Sequence, residues 1–145
     1  MINVKDILNK KENVFWSVTP SSTVFEALEI MADKNIGSVL VIDNSQLVGM
    51  FSERDYARKI VLHGLSSKNS QVGQFMSTEI ISVKLDTSIE NCMALMTSRH
   101  IRHLPVLDND TILGVISIGD VVNAVIQEQH FTIKDLESYI YGGRY

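Results

Sequence analysis

Gly49-Met50-Phe51-Ser52-Glu53-Arg54-Asp55 is matched 65 positions later by Gly114-Val115-Ile116-Ser117-Ile118-Gly119-Asp120. In both copies an apolar stretch that begins with Gly ends in Ser, and Asp stands three positions after that Ser. The match continues upstream without a gap to Val18 and Val83. An ungapped repeat of this length indicates that the chain contains two copies of one structural unit.

Each copy predicts the element order βαββα. Its first helix has apolar residues at i, i+3, i+4 and i+7, the spacing of an amphipathic helix, and a Thr-x-x-Glu capping pattern begins at Thr23 or Thr87. These two capping patterns differ in register by one residue. The other expected elements are strands at 15–18 and 81–83, hairpin strands at 38–42 and 104–107 with partners ending at 49–51 and 114–116, turns at 43–45 and 108–110, and second helices at 53–62 and 118–128.

These elements place the chain in the α/β fold class, in its α+β form. Neither copy has enough helices to cover both faces of its sheet, so we expect the two βαββα repeats to pack sheet to sheet with pseudo-twofold symmetry. The expected organisation is one module over residues 1–145, with repeats at 4–62 and 72–128. An amphipathic helix is expected at 131–141, ahead of Gly142-Gly143, either packed on the module or contacting a second copy in a dimer.

The composition narrows the class of protein. A net charge of −4 argues against a general nucleic-acid binder, which needs a cationic face. No apolar run approaches the roughly 20 residues of a membrane span, and residues 1–11 are too polar for a signal peptide. We therefore expect a cytoplasmic protein with no membrane and no nucleic-acid partner. The single cysteine, Cys92, lies on the apolar face of its helix, which favours a core thiol over a reactive one.

The Ser-x-x-Asp pattern has two interpretations. A helix that begins at the end of a strand presents unpaired N–H groups and the positive end of its dipole, which attract phosphate. An ionised Asp in the first turn can also accept hydrogen bonds from the two hydroxyls of a ribose. However, Ser-x-x-Asp is itself a variant of the capping box, so Ser52 with Asp55, and Ser117 with Asp120, could only close a helix end.

The duplicated pattern resembles a known family. Gly-h-h-Ser-x-x-Asp after a hairpin, the segment Ile101-Arg102-His103-Leu104-Pro105-Val106, and the βαββα duplication together resemble a tandem pair of cystathionine-β-synthase (CBS) domains, or Bateman module. The resemblance covers about residues 4–128. The strings FSERDYARK and HIRHLPVL are similar to those of small stand-alone bacterial CBS-pair proteins and their plant organellar relatives. The resemblance implies a non-catalytic regulatory module that binds AMP, ADP, ATP or NAD in the cleft between the repeats.

The resemblance also implies a set of nucleotide-binding positions. Asp55 and Asp120 would bind the ribose, with Ser52 and Ser117 in support. Basic side chains would reach the phosphates. The remaining positions that match the family's site are Arg54, Arg102 and His103 for phosphate, and Thr19, Ile36, Gly37, Lys84 and Pro105 around the nucleotide.

The two repeats differ where the phosphates would bind. Gly37 stands where the second copy has Arg102, and Ser38 stands where it has His103. Arg54 has only Gly119 as its equivalent. The two sites are therefore expected to be unlike, as a stronger and a weaker site or as one site for a larger ligand such as NAD.

The resemblance and the motifs together favour a sensor that is not an enzyme. We expect no catalytic cofactor, a homodimer and an unidentified protein partner. An alternative is a nucleotide-independent scaffold for a partner enzyme such as a thioredoxin-like protein. Nucleophile-elbow, P-loop and His-Glu-x-x-His strings are absent from the sequence. Only His100 and His103 approach metal-ligand spacing, and they flank a helix-to-strand boundary, so no metal site is expected.

Overall fold

The computed structural model describes residues 2–11 and 14–140. The helices are α1 (Val4–Asn9), α2 (Val24–Lys34), α3 (Glu53–Asp55), α4 (Val72–Phe75), α5 (Ile89–Arg99) and α6 (Ile118–Ile140), and the strands are β1 (Ser17–Val18), β2 (Ser38–Asp43), β3 (Gln46–Ser52), β4 (His103–Asp108) and β5 (Thr111–Ser117). A π-helix spans Tyr56–Val61 and a 3-10 turn spans Ser67–Asn69. The mixture of helices and two small sheets confirms the α+β class.

The chain forms two compact units. Residues 14–82 with 107–113 make the first-repeat unit, and the described parts of 1–13, 83–106 and 114–145 make the second-repeat unit. In both sequence repeats, the order of strands and helices follows the predicted βαββα plan, except that residues 81–83 form no named strand and Val83 makes a single parallel bridge to Val106. The packing of the two sheets against each other stays a prediction.

The first-repeat sheet has the order β1-β2-β3, with β1 parallel and β3 antiparallel to β2. The hairpin turn between β2 and β3 places Asn44 and Ser45 at φ 50° and 66°. A two-residue turn with positive φ at both positions matches the right-handed twist of the strands. The predicted turn at 43–45 is thus confirmed.

The helices that follow the first strand of each repeat bury the predicted faces. Val24, Ala27 and Met31 of α2 are at most 2% exposed, and they pack with strand residues of β2 and β3 in one apolar cluster. Thr23 caps α2 through a bond from the Glu26 N–H, as predicted. The cap of α5 is Ser88 and not Thr87. The Thr87 hydroxyl instead accepts from the Lys84 N–H at 3.0 Å, so the structure keeps the register of the repeat.

The leading helix of the first repeat packs on the second. The Val4 N–H donates to the Thr87 carbonyl at 2.9 Å, and the Lys5 N–H donates to the Leu85 carbonyl at 2.9 Å. Val4 is completely buried. Helix α1 therefore belongs to the second-repeat unit, although it precedes the first repeat in sequence.

The leading helix of the second repeat packs on the first in the same way. The Val72 N–H donates to the Ser22 carbonyl and the Gly73 N–H to the Pro20 carbonyl, both at 2.8 Å. Val72 is completely buried in the first-repeat core. The compact units thus differ from the sequence repeats at 4–62 and 72–128, because each unit takes its leading helix from the other repeat.

The helices after the hairpins differ from the prediction. Helix α6 is continuous over Ile118–Ile140, and not two helices at 118–128 and 131–141. Residues 127–130 contain no Gly or Pro, so nothing interrupts the backbone hydrogen bonds. Tyr141 and Gly142-Gly143 lie outside the described residues. Within the described chain, no helix combines the length and the apolar character needed to cross a membrane.

In the first repeat the predicted helix at 53–62 begins as α3 and continues as the π-helix. A π-turn holds one residue more than an α-turn. The wider turn places Ile60 in the core at 0% exposure and leaves Lys59 half-exposed, with its ammonium free to reach other groups.

Candidate ligand-binding site

The Ser-x-x-Asp segment of the first repeat is a closed hydrogen-bonded ring. Asp55 Oδ2 accepts from both the N–H and the hydroxyl of Ser52, each at 3.0 Å, and Ser52 Oγ accepts from the Asp55 N–H at 3.0 Å. These bonds confirm that the pattern caps α3. They also fix the Asp55 carboxylate at the end of β3.

The second repeat reproduces this arrangement. Asp120 Oδ2 accepts from the Ser117 N–H at 2.8 Å, and Ser117 Oγ accepts from the Asp120 N–H at 3.1 Å. The Asp120 side chain is 24% exposed and that of Asp55 is 17% exposed. Both carboxylates are therefore positioned by backbone N–H groups and stay open to a ligand.

Each carboxylate is paired with a lysine that the sequence analysis did not identify. Lys59 Nζ lies 3.3 Å from Asp55 Oδ1 and donates to the Phe75 carbonyl at 2.8 Å. Lys11 Nζ lies 2.7 Å from Asp120 Oδ2 and donates to the Val115 carbonyl at 2.9 Å. Lys59 could have been found, because it stands four positions after Asp55 on one helix. Lys11 could not, because it is 109 positions from Asp120.

The groups around Asp120 perturb one another's ionisation. Burial raises the pKa of Asp120, but the bonds from Lys11 and Ser117 outweigh it, so this pKa is lowered overall. Burial lowers the pKa of His103, Lys11 and Arg102 lower it further, and Asp120 opposes them. His103 is therefore neutral at pH 7, in a cluster where Asp120 balances part of the positive charge.

Backbone bonds attach the segment before each hairpin to the helix start. The Glu53 N–H donates to the Gly37 carbonyl at 3.0 Å, and the Ile118 N–H donates to the Arg102 carbonyl at 2.8 Å. Gly37 and Arg102 thus occupy equivalent places beside the two helix starts. The Cβ of a side chain at Gly37 would meet nothing within 4 Å, so the first repeat has room for a cation there but lacks one. Arg54 is exposed on α3.

The residues after the first strands form matching turns. The Thr19 N–H donates to Ser22 Oγ at 3.0 Å, as the Lys84 N–H donates to Thr87 Oγ1. Thr19 and Lys84 are both exposed. Thr19 also lines an open groove of about 390 Å³ with Glu26, Ile42 and other residues of the first-repeat unit.

Two of the predicted nucleotide-binding positions, Ile36 and Pro105, contribute to packing or to backbone pairing. Ile36 is half-buried and packs against the first-repeat core. Pro105 is buried in β4, and its carbonyl accepts from the Val83 N–H at 3.0 Å. The structure places Thr19, Ile36, Gly37, Ser52, Arg54 and Asp55 in the first-repeat unit, and Lys84, Arg102, His103, Pro105, Ser117 and Asp120 in the second.

Other reactive groups lie away from these carboxylates or serve the fold. Cys92 is buried in α5, and burial, together with the charge of Glu90, raises its pKa to about 11. The thiol is thus a core group. His100 ends α5 in the left-handed conformation, with φ 54°. Among residues 2–11 and 14–140, no cluster of three or more His, Cys, Asp or Glu side chains could hold a metal ion.

Comparison with known proteins identifies the family of this fold. The family model described as the CBS domain matches twice, over residues 2–62 and 72–127. The chain belongs to the CBS domain family. The two matches make it a tandem CBS pair, and CBS pairs are regulatory and signal-transduction modules.

Relatives of this CBS pair include organellar and bacterial proteins. A mitochondrial CBS domain-containing protein of Arabidopsis thaliana is 40% identical over 86% of this chain, which spans 63% of that relative's length. A Bacillus subtilis CBS domain-containing protein is 32% identical over 88% of this chain and 89% of its own.

A solved structure has the same fold. A protein from Burkholderia ambifaria, described as a signal-transduction protein with CBS domains, is 43% identical. It superimposes with a TM-score of 0.83 over 88% of this CBS pair and 96% of its own chain.

Proposed function

We propose that this CBS pair is a non-catalytic sensor of adenosine nucleotides, with AMP, ADP, ATP or NAD as ligand and no catalytic cofactor. One observation carries the proposal. Each repeat fixes an Asp carboxylate at a helix start by bonds from a Ser, and beside it lies a lysine ammonium. A carboxylate accepts ribose hydroxyls and an adjacent cation attracts phosphate, so the pair suits both halves of a ribose phosphate.

The capping role of Ser-x-x-Asp does not compete with this proposal. The bonds from Ser117 and Lys11 to Asp120 all go to Oδ2. A carboxylate has about four acceptor positions, so Oδ1 is available to a hydroxyl while the cap stays closed. A helix cap alone also gives no reason for the Lys11 ammonium to lie 2.7 Å from this carboxylate.

The two sites differ in charge, which supports unequal affinities. Asp120 has the Lys11 ammonium at 2.7 Å, and the charge of Arg102 acts on the neighbouring His103, whereas Asp55 has Lys59 at 3.3 Å, with the exposed Arg54 one position before it. The missing cation at Gly37 weakens the first-repeat site. We expect the second-repeat site to bind phosphorylated ligands more tightly.

Isothermal titration with AMP, ADP, ATP and NAD tests the proposal. A hydrogen bond to a charged group contributes about 1.5–3 kcal/mol, so Asp120→Asn should weaken the tighter site by roughly 10- to 100-fold. Asp55→Asn should weaken the other site. Asp43→Asn and Asp108→Asn, at equivalent hairpin positions of the two repeats, are matched controls and should change nothing. Absence of binding by the wild type at 1 mM, or unchanged binding by both site variants, would show that the protein is not such a sensor.

A homodimer is part of the proposal. Helix α6 presents an apolar stripe whose side chains are 39% to 72% exposed, formed by Ile118, Val122, Ile126, Ile133, Leu136 and Ile140. Large apolar stripes of this kind mark protein contacts, and a stripe that continues along one helix suits the same helix of a second copy. Light scattering should give a dimer for the wild type and a monomer for Ile133→Glu. Lys134→Glu, one residue off the stripe, should remain dimeric.

The remaining expectations concern partners and place. The comparisons do not favour the nucleotide-independent scaffold, and we do not propose it. That an unidentified protein reads the nucleotide state, and that the protein is cytoplasmic, stay predictions.

A further inference from the structure

Each candidate carboxylate is connected through a lysine to the leading helix that its unit takes from the other repeat. In the first-repeat unit, Lys59 Nζ lies 3.3 Å from Asp55 Oδ1 and donates to the carbonyl of Phe75, the last residue of α4. In the second-repeat unit, Lys11 stands two positions after the end of α1, and its Nζ lies 2.7 Å from Asp120 Oδ2. Both units therefore join an Asp to an exchanged leading helix.

The duplication of the chain does not account for these two lysines. The residue 65 positions after Lys59 is Ala124, which is 7% exposed. The leading helices begin at 4 and 72, a shift of 68, and the residue 68 positions after Lys11 is Glu79. The side chain of Lys59 is 41% exposed, and the buried residue of its π-helix is Ile60. Since the two lysines are not copies of each other, a shared role explains the connection better than duplication does.

The leading helices are short and depend on contacts with their unit. Helix α1 has six residues and α4 has four, whereas isolated helices are marginal below about 12 residues. The backbone bonds from Val72 and Gly73, and those from Val4 and Lys5, hold the first turn of each helix. The two lysines act at the other end, on the last residue of α4 and just after α1.

Both leading helices continue covalently into the other unit. The chain runs from α1 to Val14, where the first-repeat unit begins, and from α4 to Val83, where the second-repeat unit resumes. A change in how firmly one unit holds a leading helix is therefore also a change at the end of a segment that enters the other unit. Any coupling of binding that results is reciprocal, because a coupling free energy acts equally on both sites.

We propose that Lys59 and Lys11 are latches that couple the two repeats, each holding an exchanged leading helix to a candidate carboxylate. The inference rests on the proposed nucleotide function and adds communication between its two sites. An ammonium has three N–H donors, and each latch lysine engages two partners, a carboxylate and a backbone carbonyl. A ligand that bonds to the carboxylate and to the third N–H strengthens the latch. Occupation of one repeat thus tightens the leading helix of the other.

Native-state hydrogen exchange of the full chain, followed by NMR, measures how often each leading helix opens. The reporters are backbone amides that bond within or beside these helices, namely Gly73 and Met76 for α4, and Val4 and Lys5 for α1. Lys59→Met keeps the length of the side chain but removes the ammonium. It should speed exchange in α4 by about 2- to 10-fold, the effect of one hydrogen bond, and leave α1 unchanged. Lys11→Met should do the reverse.

Arg58→Met and Lys10→Met are matched controls, because each removes an exposed cation one position before a latch lysine. Neither should alter exchange in a leading helix, and Lys59→Arg, which keeps a charged donor, should restore protection of α4. Unchanged exchange in both leading helices of the two Met variants would overturn the latches, as would an equal acceleration across the chain. If a Met variant does not fold, Asp55→Asn or Asp120→Asn removes the charge of the other partner and should loosen the same helix.

Saturating AMP separates the latches from the function on which they rest. In the wild type it should slow exchange in both leading helices more than in α2, and Lys59→Met should abolish this effect in α4 alone. If AMP does not bind but the Met variants still loosen their helices, the nucleotide function fails and the latches stand. If AMP binds and protects the leading helices no more than α2, the nucleotide function stands and the coupling is wrong.

Discussion

Gly49, the first residue of the repeated string, is a position where a single added methyl group should destabilise the fold. The Cβ of an alanine there would lie 2.6 Å from Met76 Sδ and 2.8 Å from the Ser77 carbonyl oxygen. The sulfur can move, but the carbonyl cannot move freely, because Met50 and Ser77 exchange two backbone hydrogen bonds at 2.9 and 2.8 Å. Relief of the contact therefore disturbs the pairing between β3 and the segment after α4.

The expected cost follows from these contacts. Overpacking costs about 1–3 kcal/mol and a weakened hydrogen bond about 0.5–1.5 kcal/mol, so Gly49→Ala should destabilise the protein by about 2–4 kcal/mol. Urea unfolding followed by circular dichroism measures this, with an expected fall in the midpoint of about 1–2 M for a slope near 2 kcal/mol/M. Gly37→Ala, with nothing within 4 Å of the new methyl, is the control and should be neutral or slightly stabilising. Equal midpoints for the two variants would refute the close-approach argument.

Three further predictions concern charge and reactivity. In an Asp120→Asn background, Gly37→Arg should tighten AMP binding at the first-repeat site by roughly tenfold, whereas Gly37→Gln should not. Isothermal titration calorimetry of the two variants with AMP measures this difference. Because the pKa of His103 is lowered in the folded state, the unfolded chain binds more protons just below pH 6.5. The free energy of unfolding should therefore fall as the pH drops from 7.5 to 5.5, by at most about 1.4 kcal/mol per pH unit. The urea midpoint should lose this pH dependence in His103→Asn but keep it in the control His63→Asn. Cys92 has a pKa of about 11, so at pH 8 it has about 100-fold less thiolate than an ordinary thiol. Ellman's reagent should therefore label it only after urea is added. Rapid labelling of the native protein would contradict its burial.

Local patterns predicted most of the fold. The i, i+3, i+4, i+7 spacing placed Val24, Ala27 and Met31 in the core, and the hairpin turn at Asn44 and Ser45 is where its residue types indicate. These features depend on residues that are close in sequence, so a single sequence is enough to predict them. The repeat itself corrected one of them, because Ser88, 65 positions after Thr23, is the true cap of α5.

Features that depend on distant residues were not predictable. Nothing in the sequence near Asp120 indicates Lys11. The exchange of leading helices depends on backbone hydrogen bonds between segments that are far apart in sequence. The π-helix is an intermediate case. It places Ile60 in the core, where this residue is 0% exposed, and its Lys59 pairs with Asp55 at i, i+4. The candidate carboxylates were thus found from sequence, but their cationic partners were not.

A crystal structure of the protein grown with saturating AMP, ATP and NAD would show whether an adenosine nucleotide binds at these carboxylates. We expect density for an adenosine nucleotide with its ribose hydroxyls within hydrogen-bonding distance of Asp120, and a phosphate near Lys11. The second repeat should fill before the first. Crystals in which Asp120 and Asp55 keep only their cap and lysine bonds, with no nucleotide at either carboxylate, would contradict it.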